Sequence, residues 1–393
     1  MNKIEYLIKH NRVIQFLYKI IFSTLFSFFS ILTPIKKNLI LFSSYSGKKF
    51  NDSPRVIYER MKKIGLLDSF EVVWAFDDPK KFEIENVQSV KINSFKYFRI
   101  AFRAKYWITN VNIERGLNFK KKKQIYLNTW HGTGPKTIGN AATGRKDYNF
   151  KKVNYLCADG EYLKNIFVRD LKANPSNIVL CGRPREDVLY TSDTKLKEEM
   201  MLKYGIKEDD FVILYAPTWR EPAKSGGVSS FDFNLDIDKI LKTFPNAKIL
   251  FRAHSITSCI NGMNEFNDRF ISATEERDIE NLFFISNVLI TDYSSSVLDI
   301  TTLNKPFICF APDYDEYVKN RSLYFDLTKE YPFGVQKNTD DVVSVIRDIL
   351  AGKDKVEEFK KLKEKYSPYG GNATNVCLDL LFKDNLNIGQ GKE

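Results

Sequence analysis

Short β-rich runs alternate with helical stretches from Asn38 onward, and that rhythm constrains the fold more than any other feature of the chain. Residues 39–42, 72–74, 106–109, 125–127, 155–158 and 178–180 are the strands predicted for a first half. Residues 211–215, 248–251, 288–290 and 307–310 are those of a second, beyond a polar stretch at 191–207. Parallel strands need crossover helices, so each half predicts a doubly wound α/β sheet. At 393 residues the chain exceeds what one core supports, roughly 250–300 residues. The expected architecture is two Rossmann-type domains facing each other across a cleft, 38–195 and 196–393, with the last helix packing back on the first. Within it, Ser53-Pro54 reads as an N-cap with proline at the first helical position, opening a helix through Lys63. No internal repeat is evident.

Residues 1–37 stand apart. Ile4, Leu7, Ile8, Ile14, Leu17, Tyr18 and Ile21 recur at helical spacing among Lys3, Lys9, Arg12 and Lys19. An apolar run at 20–35 follows, closed by Lys36-Lys37. That run falls short of the roughly 20 residues a bilayer span requires, and no small-residue cleavage site marks a signal peptide. An interfacial or re-entrant anchor at an anionic membrane surface is the expectation, with a spanning or protein-buried helix as alternatives. The net charge of +11 favours anionic partners. No nucleic-acid-binding module accompanies it, so nucleic acid is not an expected partner. The five cysteines lack metal-ligand spacing and read as reduced core thiols, which places the chain on the cytoplasmic side of the membrane.

Candidate chemistry gathers at the predicted strand ends, where open α/β sheets bind ligands. Only three histidines occur, and two sit there: His131, followed by Gly132-Thr133-Gly134-Pro135 with Lys136 beyond, and His254, in Arg252-Ala253-His254. Histidine suits proton transfer near neutral pH, and glycine lets backbone amides approach a ligand. Ser294, Ser295 and Asp299 follow a third strand at a helix start, which fits either a phosphate site or a serine cap without ligand. Pro217 ends a fourth strand and delivers Thr218, Trp219 and Arg220 into a loop. Arg183 and Arg185 follow a fifth; each arginine reads as a phosphate contact or a packed surface residue. The acidic clusters Asp77-Asp78, Asp209-Asp210 and Asp313-Asp315-Glu316 read as turns and helix starts. No metal cofactor is implied by the pattern; Mg²⁺ is the one ion that phosphoryl chemistry would admit.

Taken in order, Trp130-His131-Gly132-Thr133, Gly182-Arg183-Pro184-Arg185, Tyr215-Ala216-Pro217-Thr218-Trp219-Arg220, Arg252-Ala253-His254 and Thr291-Asp292-Tyr293-Ser294-Ser295 resemble the CDP-glycerol glycerophosphotransferase family of teichoic acid synthesis. The resemblance runs from about Asn38 to Asn375. It implies a GT-B-like fold and transfer of glycerol phosphate from CDP-glycerol to a membrane-bound lipid-linked saccharide acceptor, with release of CMP. By matching motif it implies that His131 and His254 are essential. It also implies that Gly132, Thr133, Gly134, Pro135, Arg185, Pro217, Thr218, Trp219, Arg252, Ser294, Ser295 and Asp299 surround the CDP-glycerol. Gly134 before Pro135, and Arg183, depart from the family's usual pattern. The chain has no counterpart of the long amino-terminal extension of the large polymerases, which fits a short, primase-like member. CDP-ribitol as donor, a GT-B sugar-nucleotide glycosyltransferase, and a non-catalytic scaffold are the competing readings.

Overall fold

A computed structural model describes residues 12–142, 148–218, 231–232, 235–252, 260–261 and 266–389. Contacts divide the chain into two compact units: Met1–His131 with Lys146–Arg185 and Asn372–Glu393, and Gly132–Arg145 with Glu186–Gly371. The division falls at Arg185, ten residues before the sequence-based boundary at 195, and the 132–145 loop groups with the second unit.

The first unit is built on seven strands: β1 (Lys36–Ser43), β2 (Glu71–Phe76), β3 (Gln88–Lys91), β4 (Ala104–Thr109), β5 (Ile125–Asn128), β6 (Tyr155–Ala158) and β7 (Ile178–Leu180). They lie in the order β3-β2-β1-β4-β5-β6-β7, every pairing parallel. The central strands are apolar on both faces because helices cover both. Ile40, Phe42, Val72, Trp74 and Phe76 alternate onto one face, against Ile57, Tyr58 and Met61 of the Asp52–Lys63 helix. The Ala373–Gly389 helix adds Ala373, Cys377, Leu378, Leu381 and Phe382 to the same core. On the other face, buried Trp107 donates its indole N–H to Ala101 O of the Phe95–Arg103 helix at 3.0 Å.

Three cysteines distant in sequence meet here. The sulfurs of Cys157, Cys181 and Cys377 lie within 4.8 Å of one another, all buried. They sit in the apolar core cluster and pack as small hydrophobes. The separation of Cys377 from the other two hid this convergence from any spacing rule.

The second unit repeats the plan. Its strands are β8 (Phe211–Tyr215), β9 (Phe231–Asp232), β10 (Ala247–Phe251), β11 (Ile260–Asn261), β12 (Phe270–Ser272), β13 (Val288–Thr291), β14 (Phe307–Phe310) and β15 (Val335–Gln336). Six form a parallel sheet in the order β12-β10-β8-β13-β14-β15, while β9 and β11 pair separately. Setting that pair aside, both sheets follow the Rossmann order 3-2-1-4-5-6, the first with a seventh strand added beyond the sixth, and in both the strand order reverses between the first strand and the fourth. The reversal lies between β1 and β4 in one unit and between β8 and β13 in the other. Each fourth strand ends alike, in Ile108-Thr109-Asn110 and Ile290-Thr291-Asp292, a short internal likeness that only the topology makes visible.

The Arg12–Leu32 helix docks on the first unit through one face. Phe26 sits edge-on to Phe98 with centroids 4.5 Å apart, and the Ser27 and Ser30 hydroxyls donate to Asn118 O and Phe119 O at 2.7 and 3.0 Å. Phe16, Ile21, Phe28, Ile31 and Leu32 remain exposed, Ile31 at 76 %. No described helix is long and apolar enough to cross a membrane. Residues 1–11, with Ile4, Leu7 and Ile8, lie outside the described residues.

Candidate active site

In the first unit the ligand end of the sheet is organised around His131, three residues beyond β5. Asn110, just past β4, bridges the reversal: its side-chain Oδ1 accepts the Tyr45 N–H from the loop after β1 at 2.9 Å. Its backbone carbonyl accepts from His131 Nδ1 at 2.8 Å. A carbonyl can only accept, so Nδ1 carries the proton and Nε2 presents a lone pair. Burial holds the imidazole below its ordinary pKa, against the opposing pull of the Asn110 carbonyl and the Asp52 carboxylate. The ring is therefore neutral, and basic at Nε2, at neutral pH. Trp130 packs on it with centroids 4.4 Å apart, and Tyr45 meets it edge-on at 5.9 Å.

The backbone around this ring is strained. Tyr45, Ser46, Asp52 and Trp130 all have positive φ, from 45° to 62°. Each such non-glycine residue costs on the order of 1–3 kcal/mol, and strain of this kind collects at functional sites. Gly47, at φ 82°, anchors the same loop: a Cβ there would lie 2.6 Å from the Asp77 nitrogen. The Asp52–Lys63 helix starts at Asp52, one residue before the expected Ser53 cap, and Asn51 at its N-cap makes no side-chain capping bond. Ser53 Oγ instead accepts the Arg185 N–H at 3.2 Å, drawing the loop after β7 into the site. Arg185 Nη1 lies 3.5 Å from Asp52 Oδ2. Arg183, by contrast, is wholly buried in an ion pair with Asp159 at 3.2 Å, a structural place rather than a ligand-facing one.

The second unit builds a parallel arrangement. Asp292, just past β13, is the counterpart of Asn110, and its Oδ1 accepts the Thr218 N–H at 3.1 Å and the Tyr293 N–H at 2.7 Å. Thr291 Oγ1 donates to Ala216 O at 2.7 Å across the same reversal. Thr218 and Pro217 are thus fixed at the mouth of the sheet. Arg252 follows β10: its Nη2 donates to Arg277 O at 3.2 Å, whereas Nη1 is buried with no hydrogen-bond partner among the described residues. A buried unpaired guanidinium nitrogen costs on the order of 1–3 kcal/mol unless an anion meets it. Ser294 Oγ and Ser296 Oγ share a hydrogen bond of 2.7 Å, and Ser294 Oγ accepts the Ser296 N–H, so these hydroxyls close the turn into the Ser296–Ile300 helix. That helix has five residues and Asp299 within it is buried.

The loop after His131 belongs to this unit. An ideal Cβ on Gly134 would lie 3.6 Å from Ser295 atoms, Pro135 O accepts the Tyr324 N–H at 2.8 Å, and Thr137 N–H donates to Ser322 O at 3.1 Å. Thr133, Gly134 and Pro135 line a small recess with Val297 and Leu298. Lys136 Nζ stands 5.9 Å from the ring centroids of Tyr293 and Tyr317, which are stacked at 3.6 Å. Trp219, Arg220 and His254 lie outside the described residues. The sequence reading missed Asn110, Asp52, Tyr45 and Asp292; the matching Thr-Asx ends of two strands were the signal available. For Mg²⁺, the described residues gather no group of three histidine or carboxylate ligands; the one cluster of ligand-type side chains among them is the three buried thiols.

The profile of the CDP-Glycerol:Poly(glycerophosphate) glycerophosphotransferase family matches residues 25–383. The chain belongs to this family. It is thus an enzyme of glycerol phosphate transfer in teichoic acid synthesis. It is similar to a teichoic acid glycerol-phosphate transferase of Staphylococcus aureus, 31 % identical over 93 % of this chain and 98 % of that one. It is likewise similar to a teichoic acid poly(glycerol phosphate) polymerase of Staphylococcus epidermidis, 30 % identical over 89 % of this chain, which spans 51 % of that longer protein. Among solved structures, the wall teichoic acid polymerase TagF in a histidine-to-asparagine form superposes with a TM-score of 0.79 at 27 % identity, covering 97 % of this chain and 98 % of that one. Another crystal of that TagF variant was soaked with CDPG. Ribitol-phosphate polymerases are also similar, at 24–26 % identity.

Proposed function

We propose that this glycerophosphotransferase moves glycerol phosphate from CDP-glycerol to a hydroxyl of a lipid-linked saccharide acceptor at the cytoplasmic membrane face, releasing CMP. In this reading the second unit holds the donor and the first holds the acceptor. The observation that carries it is His131: neutral, oriented by Asn110, with Nε2 free to take a proton. The peptide after it is Gly132, where the chain passes from the acceptor-side unit to the donor-side loop.

The acceptor oxygen attacks the β-phosphorus that bears glycerol, its proton passes to His131 Nε2, and the phosphoanhydride bond to CMP breaks. Charge spreads over the phosphoryl oxygens, so positioning and charge neutralisation supply most of the rate. Arg252, with its buried Nη1, is the donor-side cation, and His254 joins it in stabilising phosphate or protonating CMP. Gly132 to Pro135, Thr218, Ser294, Ser295 and Asp299 surround the nucleotide, with Pro217 and Trp219; Arg185 meets a phosphate from the first unit. A Mg²⁺ ion that travels with the diphosphate would need only one or two carboxylates, and Asp292 and Asp299 are candidates.

Membrane attachment follows from the Arg12–Leu32 helix. Its exposed Phe16, Ile21, Phe28, Ile31 and Leu32 form an apolar face, and Lys121 Nζ donates to Thr33 O at its end, within the run Lys120–Lys123. An apolar face beside cations suits an anionic bilayer, which holds the enzyme where its acceptor resides.

The higher identity to glycerol-phosphate enzymes, 29–31 % against 24–26 % for ribitol-phosphate polymerases, favours glycerol as the transferred unit. CMP release is to be compared for CDP-glycerol and CDP-ribitol at equal concentration with one lipid-linked acceptor. Faster release from CDP-glycerol is expected; release from CDP-ribitol alone would move the assignment to the ribitol enzymes.

A further inference from the structure

We propose that Asp52 is a positioning residue of this reaction, held in a strained backbone so that one carboxylate ties the tyrosine, the arginine and the helix start around His131 together. The proposal rests on the reading of His131 as the base that takes the acceptor proton. Asp52 is 5 % exposed and sits at φ 62°, a conformation closed to most side chains and open to aspartate because its short carboxylate can bond the neighbouring backbone, as Oδ1 does here with the Ser53 N–H. Both carboxylate oxygens are used. Oδ1 accepts the Ser53 N–H at 2.6 Å, while Oδ2 accepts the Tyr45 hydroxyl at 2.7 Å and faces Arg185 Nη1 at 3.5 Å.

Two of the groups around the imidazole, Tyr45 and Arg185, are therefore indexed to Asp52, while Trp130 is held by Asn128, whose Oδ1 accepts its N–H at 2.9 Å. Tyr45 is held by Asp52 through its hydroxyl and by Asn110 through its amide. Arg185 is held through its guanidinium to Asp52 and through its amide to Ser53. The charged and titratable groups acting on His131 are Tyr45 from the loop after β1, Asp52 from the start of the Asp52–Lys63 helix, and Arg183 and Arg185 from the loop after β7. Asp52 is the one anion among them. When His131 takes a proton, that anion faces the new imidazolium and offsets the two arginines. A residue kept only for the fold would be relieved by glycine at this φ, since glycine adopts it without cost.

The test uses the full chain with Asp52→Gly and Asp52→Asn; the second keeps the side-chain shape and tolerates positive φ. With three histidines in the chain, the His131 ring is assignable in a ¹H–¹³C NMR spectrum by comparison with His131→Asn. Both variants should melt at or above the temperature of the parent. Their His131 titration should move down by roughly half a unit or more, as expected for loss of a nearby carboxylate. Their kcat for CMP release should fall roughly tenfold or more, and the acid limb of the rate profile should follow the NMR titration. An unshifted His131 titration in folded Asp52→Gly and Asp52→Asn overturns the proposal. Should the parent release no CMP from CDP-glycerol, the reaction assignment fails, while the titration still decides the role of Asp52.

Discussion

Arg252 is the residue whose surroundings most ask for a ligand. Glu276, Asp278 and Glu280 act on its charge, yet burial dominates and lowers its pKa, and Nη1 points where no described acceptor waits. A hydrogen bond to a charged group contributes about 1.5–3 kcal/mol. Arg252→Ala should therefore lower kcat/KM for CDP-glycerol by roughly tenfold to a hundredfold, with steady-state CMP release as the measurement; an unchanged value would place the donor elsewhere. At this scale the sequence was partly legible. His131, Arg185, Thr218 and Arg252 each follow an apolar run, and a strand end is readable from composition. Asn110, Asp52, Tyr45 and Asp292 were not readable, because their roles arise where the strand order reverses. Strand order is a tertiary property that no local pattern encodes. The Asp52–Lys63 helix start shows the same limit: Ser53-Pro54 has the composition of a cap, but Ser53 is spent on Arg185.

Among the elements, the central strands were legible, and of the four edge strands of the two large sheets only β7 was. β1, β2, β4, β8, β10, β13 and β14 are apolar because helices cover both faces. β3 (Gln88–Lys91), β12 (Phe270–Ser272) and β15 (Val335–Gln336) pair on one side only and are too short to carry a pattern. One element-level device is open to a direct test. The Ile279–Ile285 helix ends against Lys305, whose Nζ donates to Phe283 O at 2.7 Å and Phe284 O at 2.9 Å. Lys305→Met leaves those carbonyls without that donor and should cost about 1–3 kcal/mol in urea denaturation at pH 7. Burial lowers the Lys305 pKa from 10.5 to about 8. Between those values the unfolded chain keeps a proton that the folded protein has released. The stability attributable to Lys305 therefore rises with pH across that window, and Lys305→Met should lose that slope. Equal slopes in the two proteins would refute the assignment.

At the scale of the whole molecule, both sheets carry ligand-end residues at the same topological place, with Asn110 and Asp292 as counterparts. The Arg12–Leu32 helix packs on the first unit through one face and leaves an apolar face exposed, which the proposed function assigns to membrane attachment. Replacing Phe28, Ile31 and Leu32 by serine should leave thermal stability nearly unchanged, since all three are exposed. It should sharply reduce co-sedimentation with vesicles containing anionic phospholipid. Full retention on the vesicles would remove the helix from the membrane account.

In the proposed reaction His131 takes the acceptor proton while neutral. The measurement that reaches this step most directly is acceptor-dependent CMP release from CDP-glycerol by wild type and His131→Ala across pH. Because burial lowers the His131 pKa, the wild-type rate should hold as pH falls through the ordinary histidine value of about 6.5 and drop only below it. The variant should lose nearly all acceptor-dependent release at every pH. A His131→Ala enzyme with a wild-type rate, or a wild-type acid limb well above that value, would contradict the account.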